Sequence, residues 1–455
     1  MVRKISLWCM LVAMIFSTML LPAKVYAASD YTNGVTVSGT TATIWFKSNV
    51  NTSWVDVHYT INSGDKQNIR MTYNASTLSY EQKVTVAKGD SVTYSFTYNN
   101  GTPAYDTETF KYAVGATDGG TGTNPVASSS IYSIQTSSIP APTGNGVMSL
   151  KMMNGSNGKF ADNQIYWAVI GKIPGTETWC YLDLNGNLVP ISTALNDASG
   201  HLTKNGQNYA NIYHKVSDAS WVSLPKITSG RMFISMGSTC YIKTYDNGFA
   251  GPDINNTSDP NNNVYFDFIE FTVNDSGYHG NTTRVDQFGF PVQHRLVNKA
   301  GNYDKTVGEL ESETRNGIFE KYKNEVPNEF KSLATLQAPY RIVCPISGPF
   351  KEGGAYANYF AGYSNISTRD ILLGIGGAAT NVVCAALNRH VYENNNDWNN
   401  VSAYYKAGPA NYYAKFWHDH SINGLAYGFC YDDVNGQASY LEVGDPKGLI
   451  IRAGW

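Results

Sequence analysis

Alternation of apolar and polar residues runs through long stretches of this chain and leaves them little choice but β-structure. Val55, Val57, Tyr59 and Ile61 alternate with Trp54, Asp56, His58 and Thr60. Val92, Tyr94, Phe96 and Tyr98 alternate with Ser91, Thr93, Ser95 and Thr97. Successive side chains of a strand point to opposite faces, so each run has one apolar and one polar face. Turn residues punctuate the runs at Asn62-Ser63-Gly64-Asp65, Lys88-Gly89-Asp90 and Asn99-Asn100-Gly101, as in a β-sandwich. Residues 28–114 therefore read as a β-sandwich too small, and too poor in acids, for most enzymes; they suit a binding module. Tyr59, Tyr94, Phe96 and Tyr98 fall on its core face. Trp45, Trp54 and Tyr105 fall off that register or in a loop, where packing and stacking on a sugar's C–H face are even readings.

Residues 115–130 (GATDGGTGTNPVASSS) have the composition of a flexible tether. Beyond it, residues 131–455 are long enough for a substantial core and more than one subdomain. Strand patterns recur at Gln164–Ile170, Val264–Val273 and Gly448–Arg452. Between Tyr303 and Leu336 the character changes: Glu309, Glu311, Glu313, Arg315, Glu320, Lys321, Lys323 and Glu325 gather with Leu310, Ile318, Phe319 and Tyr322 in an amphipathic helical pattern. Further helices are expected over Thr380–Tyr392 and after Gly408-Pro409, with Pro in the first turn. The fold class is mainly β, with a mixed α/β subdomain and a ligand cleft between the two parts.

The chain has 32 Tyr, 18 Phe and 9 Trp, but only 15% of it is charged, against about 25% in ordinary soluble proteins. So many rings exclude disorder, and a net charge of −3 offers nucleic acid no basic surface. Arg3 and Lys4, an apolar run from Ile5 to Leu21 and the small-residue pattern Val25-Tyr26-Ala27 predict a signal peptide over residues 1–27 and a secreted, extracellular protein. A retained anchor is the competing reading, but the apolar run is short for a bilayer span, and no membrane partner is expected. After Cys9, the cysteines Cys180, Cys240, Cys344, Cys384 and Cys430 are odd in number and widely spread, which is no disulfide framework. No metal or other cofactor is expected. The loop Asp253–Asn263 reads as Asx turns rather than a calcium loop, and Asp183–Asn187 as a hairpin turn.

The segment Val264–Gln293 holds the most chemistry. Ile269, Phe271 and Val273 make one strand face, so Glu270, Thr272 and Asn274 share the other. A turn-rich stretch returns the chain to a second run with Val285 inward and Arg284 and Asp286 outward, which sets Glu270 and Asp286 on one polar face. Two carboxylates on one trough are what glycoside hydrolysis needs: one donates a proton to the leaving oxygen, the other attacks or activates water. Acid pairs in strands are more often salt bridges or solvated groups, so spacing alone leaves both readings open. His418 and His420, two apart on a helix, cannot face one ligand. Ser235 and Ser276 lack a nucleophile elbow.

Residues 131–455 resemble glycoside hydrolase family 64, the laminaripentaose-producing β-1,3-glucanases related in fold to thaumatin-like proteins. The resemblance rests on FDFIEFTVN (266–274), NTTRVDQFGFPV (281–292), NYYAKFWHDHSINGLAYGFCYDDV (411–434) and the closing GDPKGLIIRAGW. Residues 28–114 resemble carbohydrate-binding module family 56 through WVDVHYTINSG, QNIRMTYN and AKGDSVTYSFTYNNGTPAYDTETFKY. The resemblance implies a thaumatin-like β-barrel or sandwich and a mixed α/β subdomain flanking a wide groove. It implies Glu270 as general acid and Asp286 as general base of an inverting endo-β-1,3-glucanase, with β-1,3-glucan, including its triple-helical form, as partner. Thr272, Asn274, Thr283, Asp432 and Asp433 match substrate-binding positions. A monomer is expected. The alternative function is a non-catalytic, thaumatin-like glucan-binding protein acting on cell walls.

Overall fold

The computed structural model describes residues 31–38, 40–48, 50–62, 64–87, 89–107, 109–114 and 130–455. The expected signal peptide over residues 1–27, with Cys9, and residues 115–129 of the expected tether lie outside the described residues. The chain divides into two compact units, residues 1–123 and 124–455.

The first unit is a sandwich of two antiparallel sheets. One orders the strands Tyr31–Ser38, Thr41–Ser48, Ser79–Thr85 and Thr72–Asn74; the other orders Gln67–Arg70, Val55–Ile61, Ser91–Asn99 and Ala104–Asp106, with Phe110–Ala113 also on Ser91–Asn99. The alternation explains the packing. Ile44 and Phe46 of one sheet and Val55, Val57, Val92 and Phe96 of the other are all fully buried, in one apolar cluster. The three rings off that register have different roles. Trp45 lies opposite Gly34 in the register, where a Cβ would come within 2.6 Å of the indole, so the glycine makes room for the ring. Trp54 lies under the Arg70 guanidinium at 4.5 Å, and Arg70 is ion-paired to Asp56. Tyr105 belongs to the strand Ala104–Asp106 rather than to a loop, and is 44% exposed.

The second unit is also built on two sheets. A five-stranded sheet orders Val222–Pro225, Gly146–Gly155, Pro446–Gly454, Val292–Asn298 and Asp304–Gly308. Its Gly146–Gly155 and Pro446–Gly454 pair in parallel, which joins the beginning and end of the unit. An eight-stranded sheet runs through Trp179–Leu182, Ile165–Lys172, Ile227–Met236, Tyr265–Asn274, Gly277–Thr282 and Tyr440–Val443. Leu150, Leu449 and Ile451 of the first sheet meet Trp167, Ile234, Ile269 and Val273 of the second in one core.

The helices form a second core. Arg315–Glu325 packs through Ile318, Phe319 and Tyr322, and Tyr412–Asp419 through Tyr413, Phe416 and Trp417, at the i, i+3, i+4 spacing of a buried stripe. Three expectations need correction here. Asp304–Gly308 is a strand, and Glu309, Leu310, Glu311 and Glu313 precede the helix rather than forming its face. Their carboxylates have partners instead of water: Glu309 takes Arg284, Glu311 takes the Ile131 N–H, and Glu313 takes Lys321 and His420. The helix expected over Thr380–Tyr392 is confined to Asn381–Asn388. Pro409 stands before its helix, in a cis peptide with Gly408, and Asn411 supplies the cap by accepting from the Ala414 N–H at 3.1 Å. Asp183 accepts from the Asn185 and Asn187 N–H groups, as a hairpin turn should, and Asp253, Asn256 and Asp259 each close an Asx turn. The five described cysteines are free thiols.

Candidate active site

The exposed face of the eight-stranded sheet carries a row of directly opposed residues. Antiparallel register sets Arg231 against Glu270, Glu270 against Asn281, and Asn281 against Tyr440. A second row sets Thr272 against His279 and His279 against Glu442. Residues opposed in this way have neighbouring Cβ atoms, so four strands contribute polar groups to one surface. These rows floor a cleft of about 510 Å³ lined by Trp179, Arg231, Phe249, Glu270, Thr272, His279, Asn281 and Tyr440. A second cleft of about 240 Å³ shares Arg231 and Phe249 and is lined further by Pro252, Asp253, Asn255, Asp286 and Ser347. The shared residues make the two clefts one groove, with Glu270 in one part and Asp286 in the other.

Glu270 is held by Arg231, whose Nη2 donates to Oε1 at 2.5 Å, while the same guanidinium lies over the Phe268 ring at 4.3 Å. Asp286 does not stand on the hairpin. That hairpin is the tight pair Tyr265–Asn274 and Gly277–Thr282, and Asp286 follows in the loop beyond it. The loop is fastened on both sides: Arg284 N–H donates to the Tyr427 carbonyl at 2.7 Å, the Tyr413 hydroxyl donates to the Arg284 carbonyl at 2.7 Å, and Cys344 N–H donates to the Asp286 carbonyl at 3.0 Å. The Asp286 residue is exposed, yet its carboxyl sits among protein atoms that displace water. That desolvation pushes its pKa up; Arg231 opposes the rise and Glu270 adds to it.

The other expected site residues divide. Thr272 lines the groove. Asn274 is engaged in the hairpin turn, where its Oδ1 accepts from the Ser276 N–H at 2.9 Å and from the Ser276 hydroxyl. Thr283 is buried, and its hydroxyl oxygen accepts from the Val285 N–H at 3.3 Å. Asp433 is exposed. Burial raises the Tyr427 pKa, and Asp433 and Glu270 add to it, so both carboxylates act on that phenol. Asp432 requires correction as a glucan-facing group: it is fully buried, with Oδ1 accepting from Arg389 at 2.9 Å and Oδ2 from the Gly428 N–H at 2.9 Å and from His418 at 3.0 Å. Arg284 also requires correction. It points inward, is 2% exposed, and is satisfied by Asp267 and Glu309.

Sequence reasoning missed Arg231, Asn281, Tyr440, Trp179 and Phe249. Arg231 left one signal, being the only charged residue in the strand Ile227–Met236. Asn281 and Tyr440 left none, because their place beside Glu270 depends on register and on a strand far along the chain.

Residues 146–369 and 367–453 match the family model of glycoside hydrolase family 64, described as β-1,3-glucanase, and residues 33–107 match that of carbohydrate binding module family 56. Among solved structures, the family 64 laminaripentaose-producing β-1,3-glucanase of Paenibacillus barengoltzii, complexed with laminarihexaose, is 66% identical, covers 94% of this chain and 100% of its own, and has a TM-score of 0.72. A family 64 β-1,3-glucanase domain from Clostridium beijerinckii is 40% identical, covers 70% of this chain and 100% of its own, and has a TM-score of 0.65. A glucan endo-1,3-beta-glucosidase of Arthrobacter sp. strain YCWD3 is 24% identical over 293 residues, 51% of this chain and 53% of that protein. The chain thus spans about half the length of the curated relatives it matches.

Proposed function

Because this chain belongs to glycoside hydrolase family 64, we propose that it is a secreted, monomeric endo-β-1,3-glucanase that cleaves β-1,3-glucan by inversion, with Glu270 as general acid and Asp286 as general base. The observation that carries the proposal is the groove itself, in which two carboxylates on different segments flank one arginine. In this reading Asp286 takes a proton from a water, the water attacks the anomeric carbon, and Glu270 gives its proton to the departing glycosidic oxygen. Trp179, Phe249 and Tyr440 offer apolar faces to sugar rings, while Thr272 and Asn281 offer hydrogen bonds. Laminaripentaose is the proposed main product, supported by the activity named for the Paenibacillus relative.

The test is release of reducing sugar from curdlan, with the first-formed anomer followed by NMR. An α-anomer is expected. A β-anomer would rule out inversion, and no release would favour a non-catalytic glucan-binding protein.

A base must be ionised to act, so activity should fall on the acid side as Asp286 takes up its proton, at a pH above the ordinary aspartate range. Arg231 holds that pKa down. Arg231→Gln should therefore move the acid limb of the kcat/KM profile to higher pH; an unmoved limb would show that Asp286 does not set it.

One observation favours the exchanged assignment. Glu270 is the carboxylate paired with a cation, and Asp286 is the one whose protonation is favoured by its surroundings. The two assignments differ in which variant still cleaves a substrate with a leaving group that needs no proton.

The first unit is proposed to bind β-1,3-glucan and raise the effective concentration of the groove at an insoluble polymer. Deleting residues 28–114 should slow attack on curdlan more than on soluble laminarihexaose. Equal losses on both would point to a role in folding.

A further inference from the structure

The two carboxylates of the groove stand on separate segments, and a catalytic pair must be held to a fraction of an ångström. Behind the groove lies a buried ionic cluster that spans both segments. Arg284, two residues before Asp286, donates from Nε and Nη2 to the two oxygens of Glu309 at 2.6 and 2.8 Å. Its Nη1 donates to both oxygens of Asp267 at 2.9 and 3.0 Å and to the Thr283 carbonyl at 2.8 Å. Asp267 lies three residues before Glu270 on the same strand. Its Oδ2 accepts from the Gly289 N–H at 2.9 Å, three residues beyond Asp286 and just past the short strand Gln287–Phe288, and its Oδ1 from the Phe268 N–H at 2.8 Å. Glu309 accepts from the Val292 N–H at 2.9 Å. The rings of Phe288 and Trp417 lie over the guanidinium at 5.1 and 5.9 Å.

Such a cluster is a poor way to gain stability. Stripping water from three charges is costly, and apolar residues of similar size would serve a core as well or better. What it supplies is direction, since bidentate Arg–carboxylate bonds fix distance and plane together. Through Asp267 and Arg284 the strand of Glu270 is joined to the loop of Asp286 by groups that do not reach the substrate.

We propose that Arg284 is a positioning residue, which sets the Asp286 carboxylate against Glu270 by clamping the Asp286 loop to Asp267 and Glu309. This rests on the catalytic reading given above. A misplacement of about 1 Å in a reacting group can cost about 100-fold in rate.

The test uses the full chain carrying Arg284→Lys, which keeps a cation but loses the fork. The protein should fold, by circular dichroism and a cooperative thermal transition. Its kcat on laminarihexaose should fall about 100-fold, with KM within about threefold of the parent, because the groove face is untouched. Added azide should restore part of the lost turnover. The small anion takes the place of the water that a misplaced base no longer activates: its nitrogen bonds to the anomeric carbon, the glycosidic C–O bond breaks, and the leaving oxygen takes the Glu270 proton to give an α-glycosyl azide. Should Arg284→Lys fail to fold, the triple variant Asp267→Asn, Arg284→Met, Glu309→Gln removes every charge of the cluster and carries the same readouts. A folded variant with parental kcat overturns the proposal, and so does a loss that azide leaves unchanged. Failure of the catalytic reading itself shows separately, as laminarin hydrolysis retained in Asp286→Asn or, for exchanged roles, as β-laminaribiosyl fluoride hydrolysis retained in Asp286→Asn.

Discussion

Asp286→Asn and Glu270→Gln should each lower hydrolysis of laminarin by about 10²–10⁴-fold, the contribution of a positioned acid or base. Both replacements keep the shape of the side chain and remove its proton transfer, so thermal unfolding should change little. A β-laminaribiosyl fluoride separates the roles, because fluoride departs without a proton. With Glu270 as acid, Glu270→Gln keeps most of its activity on the fluoride and Asp286→Asn does not. With the roles exchanged, the pattern reverses. Retained hydrolysis of laminarin in either variant would remove that residue from the chemistry.

Arg389→Met should destabilise the protein by about 3–5 kcal/mol, because it leaves the buried Asp432 carboxylate with His418 alone and takes the donor from two carbonyls. Arg389 is fully buried, and besides Asp432 Oδ1 it donates to the Asp432 and Val434 carbonyls at 3.1 and 3.0 Å. Burial works to raise the Asp432 pKa, but His418 and then Arg389 outweigh it and hold the carboxyl below its ordinary range. Its contribution to stability is therefore complete above the unfolded value of about 3.9 and is lost as pH falls through the lower folded value. His418 behaves in the opposite sense. Burial works to lower its pKa, Asp432 more than compensates, and the net shift is upward. Its contribution is complete below the unfolded value of about 6.5 and is lost as pH rises through the higher folded value. Urea unfolding across that range should show stability declining above about pH 6.5 in the parent and a flatter dependence in His418→Gln. An unchanged profile would mean that the Asp432–His418 pair does not couple to folding, and an Arg389→Met variant as stable as the parent would mean that Asp432 has found another partner.

The correction of Asp432 shows where sequence reading stops. Asp432 and Asp433 are adjacent and chemically alike, and only one of them can be solvated when the segment packs against helix Asn381–Asn388 and its following Arg389. Arg284 shows the same limit. Alternation around Val285 assigned it to the outer face, but residues 283–286 are not a strand, and a guanidinium with two carboxylate partners is stable inward. Glu309 and Glu313 looked like a helix face because acids are usually solvated; here each meets a buried cation or imidazole from a distant part of the chain.

What the sequence determined by itself is what local periodicity carries. It determined the strands Val55–Ile61, Ser91–Asn99, Ile165–Lys172, Tyr265–Asn274 and Pro446–Gly454 with their apolar faces, a turn after Asn274, and the placement of Glu270 opposite Ile269 and Phe271 on the solvent side of its strand. Each of these follows from residues a few positions apart, so the pattern is complete before the chain folds. The tertiary structure alone decided that Arg231 pairs with Glu270 and lines the same cleft as Asp286, and that Asn281 and Tyr440 extend the row of Glu270. It likewise decided that the Asp286 loop is held from behind by Asp267 and Glu309. Those relations join strands and loops by register and by charge pairing across tens to more than a hundred residues. A carboxylate's pairing with a cation, and its access to water, are properties of the assembled surface that no window of sequence contains.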